Sequence, residues 1–110
     1  MLFAYNDDGR LEVIADEDEA RRSFEATDVE AGVIRFFDSR GEPLTPRFPQ
    51  RSPRKFLGMS FSSDPGPFEL APPADGGETL IDALGPAVVL MKNRWFTDID
   101  AVRAHLSGKA

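Results

Sequence analysis

The amino-acid sequence predicts an α+β fold, an antiparallel sheet of about four to five strands with two to three helices packed on one face. Three observations support this prediction. Short apolar runs bounded by turn residues indicate hairpins, segments with capping residues indicate helices, and the two kinds of segment alternate along the chain. A chain of 110 residues has the usual size of one domain, so we expect residues 1–110 to fold as a single unit.

The composition is that of a globular domain that needs no covalent support. Hydrophobic residues make up 41% of the chain, which contains nine phenylalanines and no cysteine. A domain of this size buries roughly two-thirds of the surface that its unfolded chain exposes. The lack of cysteine excludes disulfides, zinc–thiolate sites and thiol nucleophiles, and it fits a reducing compartment.

The N-terminal segment and the apolar runs give no sign of a membrane element. Residues Met1–Asp8 have no basic region and reach an acidic turn early, as a signal peptide would not. The longest apolar run, Ala87–Met91, is too short to cross a bilayer. We therefore expect a cytoplasmic protein without a membrane partner.

The charge balance bears on the class of partner. The formal net charge is −6 at pH 7. A general nucleic-acid binder needs a basic face to neutralise phosphates, so we expect no nucleic-acid partner. An acidic surface suits a protein partner that is itself cationic, although acidity also serves solubility alone.

The first hairpin is expected to lead into a capped helix. Strands at Leu2–Tyr5 and Leu11–Ile14 flank the turn sequence Asn6–Gly9. Asp16 follows, with Glu19 three residues later, which is the spacing of a capping box at a helix start.

A second hairpin and a third strand are expected in the middle of the chain. The strongest strand signal, Val33–Phe37, is followed by the turn Asp38–Gly41 and a returning strand, Leu44–Phe48. Prolines in the returning strand predict that it is an edge strand or a frayed end. The polar run Pro49–Lys55 is interpreted as an exposed loop, and the alternation in Lys55–Ser62 predicts another strand.

The last third of the chain is expected to be mainly helical. A short strand is predicted at Phe68–Leu70 and a helix at Thr79–Leu84. Ala87–Met91 fits either a helix or a strand, and we favour a kinked helix. Thr97 is expected to cap the last helix, which ends at Gly108.

No motif for catalysis or metal binding is found. The single histidine, His105, lies near the end of the last predicted helix, where the helix dipole favours it, so a structural role is expected. Gly-rich phosphate loops, calcium loops and serine elbows are absent. We expect a non-enzymatic protein without cofactor or metal, and a hydrolase with paired carboxylates is a distant alternative.

Three groups of charged or aromatic residues are candidates for partner binding. The acidic group is a ledge at the start of the first helix, formed by Asp16, Glu17, Asp18 and Glu19, with Asp7 and Asp8 across the hairpin. The basic group in the exposed loop includes Arg51, Arg54 and Lys55. Trp95 is a candidate anchor. The alternatives are a solvated helix start, an ordinary loop, and a Trp95–Phe96 pair that packs the last helix on the core.

Two stretches, residues 32–44 and 93–106, resemble small acidic bacterial immunity proteins, which are paired with secreted antibacterial toxins. The resemblance implies a non-enzymatic cytoplasmic protein that occludes the active site of a cognate toxin or blocks it allosterically, and it assigns no site residue. The hypothesis is toxin neutralisation through the acidic edge of the first helix. The alternative is an accessory or regulatory module, either monomeric or a homodimer through the edge at Leu44–Phe48.

Overall fold

The fold is taken from a computed structural model, which describes residues 1–49, 55–56, 59–60, 67–73 and 76–108, with 55–56 and 59–60 described by their backbone alone. The α+β class is confirmed. The described residues form a six-stranded sheet, a separate two-stranded hairpin and four helices. Their bounds are β1 Leu2–Asn6, β2 Arg10–Ile14, α1 Glu17–Ser23, α2 Ala26–Glu30, β3 Ile34–Phe37, β4 Pro43–Arg47, β5 Lys55–Phe56, β6 Met59–Ser60, β7 Glu69–Ala71, α3 Leu80–Ala83, β8 Val89–Leu90 and α4 Ile99–Leu106.

The sheet is mixed, with the strand order β7-β4-β3-β1-β2-β8. β1 is central and antiparallel to both neighbours, with Phe3 opposite Val13 of β2 and opposite Phe37 of β3. β8 pairs parallel to β2. This sheet therefore has more strands than the four to five predicted, and its two outer strands, β7 and β8, have only three and two residues.

Helices cover both faces of the sheet, so the predicted placement on one face is wrong. On one face the strands pack against α3 and α4, and the buried residues are Phe3, Leu11, Val13, Phe37, Leu80, Leu84 and Val102. On the other face they pack against α1 and α2, and the buried residues are Ala4, Ile14, Ala20, Val29, Ile34, Phe36 and Phe68. Adjacent apolar residues in each central strand, such as Phe36 and Phe37, are what a strand buried on both faces requires.

The predicted capping box at the start of α1 is confirmed. Asp16 is the N-cap, and its Oδ1 accepts a hydrogen bond of 2.9 Å from the backbone N–H of Glu19. Glu19 Oε2 in turn accepts a hydrogen bond of 2.6 Å from the backbone N–H of Ala15. The Asp16 carboxylate thus satisfies a backbone donor of the first helical turn, and the Glu19 carboxylate satisfies the N–H of the residue just before the N-cap.

Within the segment Ala87–Met91, for which we favoured a kinked helix, Val89–Leu90 form the strand β8. The backbone N–H groups of Val89 and Met91 donate to the carbonyl oxygens of Gly9 and Leu11, each at 2.9 Å. The partner strand is distant in sequence, so the pairing leaves no trace in local periodicity. β-branched residues at 88 and 89 suit an extended backbone.

The returning strand β4 is internal, so of the two predicted alternatives the edge position is wrong, and a frayed end fits its short pairing with β3. β7 pairs with its outer side, with Thr45 opposite Ala71 and Arg47 opposite Glu69. Backbone hydrogen bonds alternate along antiparallel strands, which leaves the backbone of Pro46 facing β3. Proline has no N–H to donate there, and the regular β3–β4 pairing extends only to Leu44.

Two other boundaries differ from prediction. The single strand predicted at Lys55–Ser62 includes two short antiparallel strands, β5 and β6, and the rest of that range lies outside the described residues. The register with Phe56 opposite Met59 folds this segment back on itself, and a period-two sequence pattern alone does not reveal such a reversal. The N-cap of α4 is Asp98, not Thr97, because the Asp98 carboxylate accepts the N–H of Ala101 at 2.8 Å.

The turn between β3 and β4 is fixed against the last two helices. His105 Nε2 donates to the carbonyl oxygen of Ser39 at 2.6 Å, which gives His105 a structural contact. The N–H of Leu80, at the start of α3, donates to the carbonyl oxygen of Gly41 at 2.8 Å. Gly41 has φ +84°, and a Cβ there would lie 2.8 Å from Leu106 Cδ2. Only glycine therefore fits this approach.

Candidate protein-binding surface

The six predicted acidic residues lie in two separate places. Asp7 and Asp8 lie in the turn between β1 and β2, and Asp16–Glu19 begin α1 at the other end of β2. The five residues of β2 separate the two groups by roughly 15 Å at the usual rise of a strand. Asp7 and Asp8 therefore lie at the other end of the hairpin from the ledge at Asp16–Glu19, and a binding role for either group stays a prediction.

The acidic residues at the start of α1 make contacts within the chain. Glu17 Oε2 pairs with Arg21 Nη1 at 3.0 Å, and Asp18 pairs with Arg21 Nη2. The hydrogen bonds that Arg21 donates to Glu17 and Asp18 raise the pKa of its guanidinium above the ordinary value. Asp16 and Glu19 are the helix caps. Of the two carboxylates that pair with Arg21, Asp18 has the more exposed side chain, at 70%.

The same helix closes one edge of the sheet. Arg21 Nη1 donates to the carbonyl oxygen of Phe68 at 3.1 Å, and Glu17 Oε1 accepts the N–H of Leu70 at 3.2 Å. Both backbone groups lie on the side of β7 that faces away from β4, where a further strand would pair. The side chains of Glu17 and Arg21 thus occupy the hydrogen-bonding groups of this edge strand.

The two acidic residues of the hairpin turn differ in the contacts that they make. Asp8 accepts from Arg10 twice, from the side-chain Nε at 2.7 Å and from the backbone N–H at 3.1 Å. Asp7 is exposed, and its backbone N–H donates to the carbonyl oxygen of Val33 at 2.8 Å. Within the described residues, Asp7 therefore keeps a carboxylate that is open to solvent.

The structure describes only part of the predicted basic group. Arg51 and Arg54 lie outside the described residues. Lys55 is the first residue of β5, and only its backbone is described. A binding role for these three residues stays a prediction.

Trp95 lies on the surface, whereas its neighbour Phe96 packs inside. The Trp95 side chain is 37% exposed, and the Arg94 guanidinium lies 4.5 Å from its ring centroid. Asn93 Oδ1 accepts the backbone N–H groups of both aromatic residues at 2.8 Å. Phe96 stacks on Phe3 with ring centroids 5.8 Å apart. The core-packing alternative thus applies to Phe96 and not to Trp95.

The exposed strand β8 lies just before this tryptophan. Val89, 56% exposed, and Trp95 are the two exposed large hydrophobic residues in the described part of the chain. Lys92 and Arg94 lie between them, exposed and without an ion pair to any described residue. We call Val89, Lys92, Arg94 and Trp95 the β8 surface.

Three members of the β8 surface were missed from the sequence. Val89 was assigned to a helix, and Lys92 and Arg94 were not considered. One signal was available, because residues 83–97 contain no acidic residue in a chain that has nineteen. A neutral-to-basic stretch in an acidic protein marks a local change of surface character.

Two clefts lie beside β3, β4 and the turn between them. One of about 250 Å³ opens between β3 and β4, is lined mainly by apolar residues, and has at its rim the ion pair between Arg35 and Glu78 at 3.3 Å. Another, of about 320 Å³, includes Asp38 and Glu42. Asp38 Oδ1 accepts the backbone N–H groups of Arg40 and Glu42 at 2.9 and 3.0 Å, which is a turn-stabilising role.

Three further findings concern metal sites, membrane-spanning helices and known relatives. Across the described residues, no group of three or more His, Asp or Glu side chains is arranged to hold a metal ion. None of the described helices has the length and apolar character needed to span a membrane. Compared with protein-family models, with curated proteins and with solved structures, the chain matches none.

Proposed function

We propose that this chain is a non-enzymatic protein-binding domain, and specifically an immunity protein that binds and neutralises a cognate antibacterial toxin. The observation that supports a binding role is the exposed Trp95 with the Arg94 guanidinium stacked on its ring. Tryptophan and arginine are the residues that most often dominate the binding energy of protein interfaces. The toxin-neutralising role rests on the resemblance of residues 32–44 and 93–106 to immunity proteins, and Trp95 lies inside the second stretch.

The β8 surface is a better candidate for the main contact than the acidic start of α1. Asp16 and Glu19 act as helix caps, and Glu17 and Asp18 pair with Arg21. Carboxylates that already have partners contribute little new interaction energy to a complex. The exposed Asp18 still adds to the field that steers a cationic partner, so we propose for it a role in association rate.

The alternative function is a self-associating accessory module. The dimer that we expected through residues 44–48 loses its basis, because β7 pairs with that side of β4. The outer edge of β8 is the remaining route to a strand-mediated dimer. A light-scattering mass of two chains at micromolar concentration would favour this alternative, and a mass of one chain would count against it.

The proposal is tested by co-expression with the product of the neighbouring gene, scored by growth and by co-purification. We expect the neighbour to be toxic alone, and this chain to rescue growth and to co-purify with it in equal amounts. Trp95→Ala should abolish rescue, while Trp95→Phe should retain part of it. Arg22→Ala is the matched control, since Arg22 is exposed and lies on α1, away from the β8 surface.

Folding of each variant is checked by circular dichroism and thermal unfolding. A harmless neighbour, or a toxic one that this chain neither neutralises nor binds, would remove the immunity function. Rescue by Trp95→Ala at wild-type level would keep the function and remove the β8 surface from it.

A further inference from the structure

The outer edge of β8 has backbone groups that no residue in the described part of the chain pairs with. The N–H groups of Val89 and Met91 point toward β2, where they donate to Gly9 and Leu11. Backbone groups alternate in direction along a strand, so the N–H and C=O of Leu90 point away from the sheet. The Leu90 side chain packs against the core formed with α3 and α4, which holds this orientation.

The two outer edges of the sheet differ. At β7, the side chains of Glu17 and Arg21 occupy the backbone groups of Leu70 and Phe68. At β8, no described residue occupies the groups of Leu90. Proteins normally protect an edge strand, because an open one pairs with other chains. An edge left open beside an exposed tryptophan is what strand addition by a binding partner needs.

The two ends of β8 have opposite charges beside them. Asp7 and Asp8 lie in the turn next to the start of β8, where Gly9 bonds Val89. Lys92 and Arg94 follow the end of β8, and residues 83–97 contain no acidic side chain. An extended segment paired with this edge would therefore be favoured if its carboxylates lie beside Lys92 and Arg94.

We propose that the β8 edge binds an extended, acidic segment of the protein partner by strand addition. Leu90 supplies the backbone hydrogen bonds, and Lys92 and Arg94 pair with carboxylates of the segment. Val89 and Trp95 contact its apolar side chains. The inference rests on the proposed function in that the segment belongs to the partner, here the toxin, and the measurement below does not require the toxin itself.

The probe is a short blocked peptide in which valine alternates with threonine and a run of aspartates follows. Its matched control carries lysines in place of the aspartates. Because Trp95 is the only tryptophan of the chain, its fluorescence reports binding at this surface directly. We expect the aspartate peptide to bind at least about tenfold more tightly than the lysine peptide. Nuclear magnetic resonance should show slowed exchange of the Leu90 amide on binding.

Charge reversal at the edge provides the decisive comparison. The double substitution Lys92→Glu with Arg94→Glu should reverse the preference, so that the lysine peptide binds more tightly. Arg40→Glu, at an exposed arginine in the β3–β4 turn, should leave the preference unchanged. Equal binding of both peptides, an unaltered preference in the double variant, or a Leu90 amide that exchanges at its free rate in the complex would each overturn the inference.

The outcomes separate this inference from the proposed function. Peptide binding at β8 by a chain that protects no cell from the neighbouring gene product would retain the edge site and remove the immunity function. Toxin neutralisation that persists in the Lys92→Glu, Arg94→Glu variant would retain the function and remove the edge site. A concentration-dependent dimer with a protected Leu90 amide in the absence of peptide would assign the edge to a second copy of the chain.

Discussion

Glu17 and Leu70 are joined across the fold, with Glu17 Oε1 3.2 Å from the backbone nitrogen of Leu70. The contact ties the first helix to a strand more than fifty positions later, and Arg21 adds a second link to the carbonyl oxygen of Phe68 at 3.1 Å. Of these two side chains, only Glu17 was interpreted from the sequence as part of a surface for a partner. In the structure they hold α1 against β7, so their first role is internal.

Removing Arg21 should open the β7 edge. In Arg21→Ala, Glu17 and Asp18 lose their cation and Phe68 loses its donor, so we expect a lower midpoint of thermal unfolding and association at high concentration. Arg22→Ala is the control at the next position. The raised pKa of Arg21 means that its contribution is fully present at neutral pH and is lost only when the pH rises through that raised value. Equal behaviour of the two variants would show that the edge is not protected by Arg21.

Removing the Asp16 carboxylate should destabilise α1. Asp16→Ala leaves the N–H of Glu19 without an acceptor, and loss of an N-cap costs about 1 kcal/mol in the free energy of unfolding. Asp16→Ser should recover most of this loss, because serine also caps. Urea unfolding measures both. Neutralising residues 16–19 together is thus expected to lower the free energy of unfolding, because both contacts of the capping residues are lost. Equal stability of all three proteins would contradict this role.

A methyl group at position 41 should disrupt the turn between β3 and β4. Gly41→Ala combines a strained backbone at φ +84° with a Cβ 2.8 Å from Leu106 Cδ2, and we expect a loss of about 2 kcal/mol or more. Gly32→Ala is the matched control, since Gly32 has φ +79° and nothing within 4 Å of the added Cβ. The difference between the two in urea unfolding measures the clash alone. A Gly41→Ala protein as stable as Gly32→Ala would show that Leu106 moves aside without cost.

Hydrogen exchange tests the strand at β8. The amides of Val89 and Met91 should exchange slowly, because both donate to β2, and the amide of Leu90 between them should exchange at close to the free rate. A helix over Ala87–Met91, as the sequence suggested, would not give this alternation. Uniform rates at the three positions would contradict the strand.

Local features of this fold could be predicted from the sequence. The first hairpin is confirmed, because its strands and turn are adjacent in the chain, with Leu2 paired to Ile14 and Gly9 in the turn at φ +92°. The capping box of Asp16 and Glu19 is confirmed for the same reason. Each of these features depends on residues within a few positions of one another, where side-chain chemistry decides the backbone.

Long-range features could not be predicted. Whether Pro46 lies at an edge depends on β7, more than twenty residues later, and whether Val89 is extended depends on β2. The candidate site likewise depends on contacts that the sequence pattern does not show. Charge spacing located Asp16–Glu19 but gave no indication that Arg21 would pair with Glu17 and Asp18. Trp95 was identified from its residue type, and its exposure follows from the packing of Phe96 beneath it.

Coverage of the sheet by different parts of the chain has a consequence for biosynthesis. The layer formed by α1 and α2 lies between β2 and β3 in sequence and can cover its face early, as the ribosome releases the chain. The opposite face, with Phe3 and Phe37, has no cover until residues 80–106 have been synthesised. During that interval the nascent sheet exposes an apolar face to water, which is the kind of surface that chaperones bind. Rare codons placed before residue 80 would lengthen the interval, and the yield of folded protein should fall accordingly.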